Sequence, residues 1–183
     1  MTRVLQRRLA TEGIDLVSSA EFEVVRVIKE QLCYVAKDLT AENSKGLEQV
    51  TGTCTLPGGE SIDIGRARYE APEALFQPAT YLAPGQDMSG LHELVKEALA
   101  KADPDLRPVL ASNIILSGGG SCIERLPERL TLELTRLLPS AKVNLYAPPE
   151  RKHGAWIGAS KMADTASWTT AETYATNGPA VFN

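Results

Sequence analysis

Aromatic residues are scarce in this 183-residue chain, at 5%, so it offers no row of rings on which a single nucleic-acid strand could stack. Basic charge is not in excess either. The 19 Lys and Arg against 23 Asp and Glu leave a net charge of -4, without the basic footprint of a protein that binds nucleic acid or an anionic membrane surface. Histidine is limited to His92 and His153, and cysteine to Cys33, Cys54 and Cys122, with no Cys-x-x-Cys pair. This argues against a zinc site and a disulfide framework and points to a reducing compartment. No apolar run approaches the roughly 20 residues of a membrane helix. The start, Met1 to Arg8, is charged and lacks the apolar stretch of a secretory signal.

What is present is an ordinary globular composition, 43% hydrophobic and 23% charged, at a length that suits about one domain with a real core. The spacing of Val4, Leu5, Leu9 and Ala10 predicts a helix over residues 1–12, stopped near Gly13. Ser18 and Glu21 stand at capping-box spacing, ahead of a helix with Val25, Ile28, Leu32 and Val35 on one stripe. Residues 38–45 read as a polar loop. Two alternating runs, 52–56 and 61–64, flank Pro57-Gly58-Gly59-Glu60 and predict a β-hairpin. Glu73 to Phe76 reads as a short helical turn starting from Pro72, and 79–89 as a loop. A helix over 91–102, with Leu91, Leu94, Val95 and Leu99 as its apolar stripe, ends at Asp103-Pro104.

Asn113 to Leu116 reads as a buried strand and 123–138 as a helix with Leu130, Leu134 and Leu137 inward. Lys142 to Tyr146 is a further strand. The tail after residue 160 is polar, with Trp168, Tyr174 and Phe182 as isolated anchors. Alternating strands and helices give an α/β class, with a mixed sheet expected to contain 52–64, 113–116 and 142–146. Residues 1–45 are expected to form a mainly helical appendage.

Two stretches could carry chemistry. Ser117-Gly118-Gly119-Gly120-Ser121-Cys122 lies between a strand and a helix, where glycine lets a ligand approach the backbone and free N–H groups favour negative charge. It is neither Gly-x-Gly-x-x-Gly nor a Walker A loop, and on its own it could be a tight turn. Ser121 lacks the Gly-x-Ser-x-Gly frame, which argues against a hydrolase triad with His92 or His153. In the second stretch a strand runs into Pro148-Pro149, which ends it. Glu150-Arg151-Lys152 follows, then the small-residue helix start at His153-Gly154-Ala155.

Ala147 to Ser160 resembles the segment of actin and actin-related proteins that carries a nucleotide-contacting lysine. Glu23 to Ala36 is similar to that family's helix beside the adenine, and Leu56 through Gly65 to its Leu-Pro-Asp-Gly hairpin. Ala71-Pro72-Glu73-Ala74-Leu75-Phe76-Gln77-Pro78 resembles its Cys-Pro-Glu-Ala-Leu-Phe-Gln-Pro run, and Asn113 to Gly119 its strand and adenosine loop. These motifs occur in the family's order at nearly its intervals. The resemblance implies the second half of an actin-like ATPase (ribonuclease H-like) fold. Residues 1–45 would correspond to the family's fourth subdomain and 46–183 to its third.

On this mapping Arg26, Lys29 and Glu30 fall where the family lines adenine and ribose. The alternative for Arg26 and Glu30 is a surface i,i+4 pair. Gly118, Gly119, Gly120, Ser121 and Cys122 fall on the loop over the nucleoside, and Lys152 on the lysine beside base and sugar. The chain departs from the family at Gly120-Ser121-Cys122-Ile123, where two threonines, a methionine and a tyrosine are common. The loop between Pro78 and Gly90, corresponding to the family's hydrophobic plug, is longer and less apolar, with Pro84-Gly85-Gln86-Asp87. The basic, cysteine-bearing end of conventional actin is lacking.

The phosphate hairpins and magnesium-organising aspartates of the family precede the region matched, so the resemblance implies no metal site and no hydrolysis from this chain, and only weak ATP or ADP binding. It implies a structural subunit of a cytoplasmic, cytoskeletal or motor-associated assembly. A protein partner would cover the face left by the missing half, with no role for nucleic acid or membrane. The alternatives are the C-terminal half of a split ATP-binding ATPase, or a fragment of an ordinary actin-like protein.

Overall fold

A computed structural model describes residues 1–56, 58–82 and 88–182, with the side chain of Phe182 left out. The turn residue Pro57 and the Pro84-to-Asp87 loop therefore lie outside the described residues. The order begins with helices α1 (Thr2–Thr11), α2 (Ser19–Leu32), α3 (Leu39–Asn43) and α4 (Leu47–Val50), followed by strands β1 (Gly52–Thr55) and β2 (Ser61–Ile64). Helices α5 (Ala67–Glu73), α6 (Pro78–Tyr81), α7 (Leu91–Lys101) and α8 (Arg107–Ala111) follow, then β3 (Ile114–Ile115) and α9 (Leu126–Leu137). The chain closes with β4 (Leu145–Tyr146), α10 (Gly154–Met162) and α11 (Ala171–Asn177). Short 3-10 turns span Gly119–Cys122, Pro149–His153 and Gly178–Phe182.

The capping box forms as its sequence dictates: the Glu21 N–H donates to Ser18 Oγ (3.2 Å) and the Ser18 N–H to Glu21 Oε2 (2.7 Å). The hairpin forms too, with Cys54 opposite Ile62 and Gly52 opposite Ile64. One mixed sheet does not. The antiparallel β1–β2 pair and the parallel β3–β4 pair are separate two-stranded sheets, because they serve different cores. Cys54 and Ile64 of the hairpin join Val4, Leu5, Leu9, Val25 and Ile28 with Ala67 and Ala71 of α5. Ile114 and Leu145 instead pack beneath Leu126, Leu130 and Leu134 of α9, with Val35 and Phe76. Residues 1–45 are thus helical but not an appendage. The apolar stripes of α1 and α2 bury against the hairpin and α5.

Several local readings change for identifiable reasons. The 38–45 segment contains α3, because Asp38 Oδ1 accepts from the Thr40 and Ala41 N–H groups (2.8 and 3.1 Å). α5 begins before Pro72 rather than at it. Proline leaves the carbonyl four residues back without its helical donor, and that carbonyl, Arg68 O, accepts from the Tyr34 N–H instead (3.2 Å). α2 stops at Leu32, and Val35 continues in extended chain, its N–H donating to Glu124 O (2.9 Å). Residues 79–81 belong to α6. Ile115 is 69% exposed, so 113–116 is covered on one face only. Trp168 is 72% exposed and anchors no core; its Nε1–H donates to Ala163 O (2.8 Å).

Candidate functional site

The glycine loop leaves β3 through Gly118, whose φ of 86° only glycine adopts without strain. The loop then folds on itself. Gly118 O accepts from the Ser121 N–H (3.1 Å) and from Ser121 Oγ (2.7 Å), so Ser121 is buried as an internal brace. Across from it, Pro148 and Pro149 end β4 and start the 3-10 turn that carries Arg151 and Lys152. The two segments are cross-tied. The Gly118 N–H donates to Arg151 O (2.7 Å), and Arg151 Nε donates to Ser121 O (3.2 Å).

Between the glycine loop, the C-terminal half of α2 and this turn lies a cleft of about 530 Å³. Six of the nine sequence-derived site residues line it: Lys29, Glu30, Gly119, Gly120, Cys122 and Lys152. Gly119 lies beside Lys152: a Cβ added there would stand at ordinary contact distance, 3.9 Å, from Lys152 Cγ. Three of the nine do not line it. Gly118 and Ser121 shape the loop from behind, and Arg26 lies on the exposed side of α2. Arg26 takes the i,i+4 pairing: its Nη1 reaches Glu30 Oε1 at 3.0 Å and its Nε reaches Glu23 Oε2 at 2.7 Å.

The cleft is completed by residues the sequence reading had not assigned to a site. Leu75 joins Ile123, which the sequence already placed at the end of the glycine loop, in an apolar floor continuous with the α9 core, and Met1 and Thr2 close one side. Thr2 Oγ1 accepts from Lys29 Nζ at 3.4 Å. Leu75 was findable in principle, as part of the matched Ala-Leu-Phe-Gln run, though nothing in its type marks it as a wall residue. Chemically the cleft joins an apolar floor and glycine backbone to two ammonium groups, Lys29 and Lys152. Its described acidic residue, Glu30, already shares its charge with Arg26. That combination suits a flat ring with a polar or anionic substituent. The volume falls within the roughly 300–1,000 Å³ of small-ligand sites.

The actin family model matches residues 2–182. The chain belongs to the actin family. Its mixed helix and strand content agrees with the α/β fold of that family. Among the described residues, no helix is long and apolar enough to cross a membrane, and no group of three or more His, Cys, Asp and Glu is placed to hold a metal ion.

Proposed function

We propose that this actin-family chain works as a structural, actin-related subunit of a cytoplasmic cytoskeletal or motor-associated assembly, with a nucleotide site that is partial and does not hydrolyse ATP. The observation that carries the reading is the make-up of the cleft. Lys29, Glu30, Gly119, Gly120, Cys122 and Lys152 converge on a space suited to a nucleoside, whereas the described walls offer one carboxylate, already paired. Phosphoryl transfer needs metal, positioning and charge stabilisation together. The base would lie between Lys29 and Glu30 of α2 and the glycine loop, with Lys152 beside base and sugar. Ile123 in place of an aromatic gives the base a weaker stacking wall. The residues correspond to the family's third and fourth subdomains.

The expected partner is a protein that covers the exposed apolar side of β3, β4 and α10, where Ile115 is 69%, Tyr146 50% and Trp156 73% exposed. Large apolar side chains left exposed on neighbouring elements are what an interface would cover. A second reading, half of a split actin-like ATPase, is favoured by the same convergence of six site residues on one cleft. Titration calorimetry of ATP into the purified chain separates the two. The structural reading expects weak binding, little changed by magnesium, and no turnover above background. Tight, magnesium-dependent binding, or turnover abolished by Lys152→Ala, puts the split ATPase first.

A further inference from the structure

The cleft owes its shape to a residue that does not line it. Arg151 sits one position before Lys152 and half-buried between the glycine loop and the proline turn. Its guanidinium donates outward to the loop, Nε to Ser121 O at 3.2 Å, and back into its own turn, Nη1 to Pro148 O at 3.1 Å and to Ala147 O at 3.4 Å. Its carbonyl meanwhile accepts the Gly118 N–H at 2.7 Å. One residue thus holds both ends of the loop, the Gly118 entry and the Ser121 bend, and holds them to the segment that presents Lys152. All the acceptors of the side chain are backbone carbonyls, so no carboxylate competes for it among these contacts. Bonds from a charged donor are the stronger kind, and the planar guanidinium meets several carbonyls at fixed angles as a lysine ammonium cannot.

We propose that Arg151 is the positioning residue of the cleft. It sets the separation between the Gly119–Cys122 wall and Lys152, and so decides whether a nucleoside is gripped. This rests on the nucleoside reading of the cleft, but the clasp itself is defined without a ligand. Ser121 lies buried behind the loop because the clasp and the Gly118 bonds hold it there. Arg151 also lines a groove of about 380 Å³ with Ile115, Leu116 and Ile157 on the far side of the turn.

The test compares the full chain with Arg151→Gln, Arg151→Lys and Lys152→Ala, using amide hydrogen exchange and ADP binding. Loss of a charge-assisted bond should speed exchange across residues 118–122 by about tenfold in Arg151→Gln. Exchange in α1, α2 and α9 should stay at the wild-type rate. ADP affinity should fall by a similar factor, and Arg151→Lys should recover part of both. Lys152→Ala should weaken ADP while leaving loop exchange unchanged, since among the described residues no hydrogen bond joins its side chain to the loop. Unchanged loop exchange in Arg151→Gln overturns the proposal. So does faster exchange spread evenly over the chain, or a lysine variant no better than the glutamine. If the wild type binds no ADP at any concentration, the nucleoside reading falls, and the loop-exchange arm still decides the clasp.

Discussion

The Glu73 side chain is wholly buried, and its carboxylate is met by Arg129 Nη2 at 3.0 Å, Arg129 Nη1 at 3.2 Å and Gln77 Nε2 at 3.1 Å. Arg129 also donates to Ala36 O (2.6 Å) and Glu133 Oε1 (2.7 Å), and it stacks 4.8 Å from the Phe76 ring centroid. One guanidinium therefore ties α5, α9 and the extended chain after α2. Removing one partner of a buried pair leaves a charge stranded, so Arg129→Met should cost about 3–5 kcal/mol in urea unfolding. The double change Glu73→Gln with Arg129→Met should cost clearly less. None of this was legible in the sequence. Glu73 stands in a helical run like any surface glutamate, and its partner is 56 residues away.

Cysteine chemistry belongs to the same scale. Burial pushes the Cys33 thiol from its ordinary 9.0 up to about 12, against the pull of Arg68 and Lys29. Burial and the Glu42 hydrogen bond raise the neighbouring Tyr34 hydroxyl as well. Both groups ionise more readily unfolded than folded. Their contribution is therefore fully present below about pH 9, and it is lost as pH climbs towards 12. The urea midpoint should fall steadily over that interval. At pH 8 iodoacetamide should modify Cys122, which is exposed, and spare buried Cys33 and Cys54 until urea is added.

At the scale of elements, what could be read and what could not follows from whether the signal is local. The hairpin and the α2 capping box were legible because their turn residues and cap lie within a few positions of each other. The start of α5 was not, since its cap comes from another helix end. Glu12 Oε2 accepts the Gly65 N–H (2.9 Å) and Glu12 Oε1 the Ala67 N–H (2.7 Å). A carboxylate so placed satisfies orphan donors and meets the positive end of the helix. Glu12→Ala should cost about 1–2 kcal/mol by denaturant titration, and Glu12→Gln about half as much. A variant within a few tenths of wild type would mean that water replaces the cap without loss.

The candidate cleft divides in the same way. Lys29, Glu30 and the glycine loop were legible through resemblance to a family motif. Leu75 and Arg151 reach the site through contacts that no spacing rule encodes.

Across the whole molecule the strand content is low and split. A parallel pair normally has both faces covered, but here Ile114 and Leu145 face α9 while Ile115 and Tyr146 stand exposed. α10 follows with no buried residue and with Trp156 exposed. An apolar segment buried nowhere contributes little to the stability of the isolated chain, yet it makes that chain adhesive. Replacing Ile115 with Lys and Trp156 with Gln should therefore change association without changing the fold. The wild type should bind the dye ANS and show concentration-dependent mass in light scattering. The double variant should bind less dye and stay monomeric, with a thermal midpoint within about 2 °C of wild type. A midpoint drop on the order of 10 °C would instead place these side chains in a packed core. In that case the partner-covered face of the proposed subunit would have to be sought elsewhere, around the exposed Leu106, Val109 and Leu110.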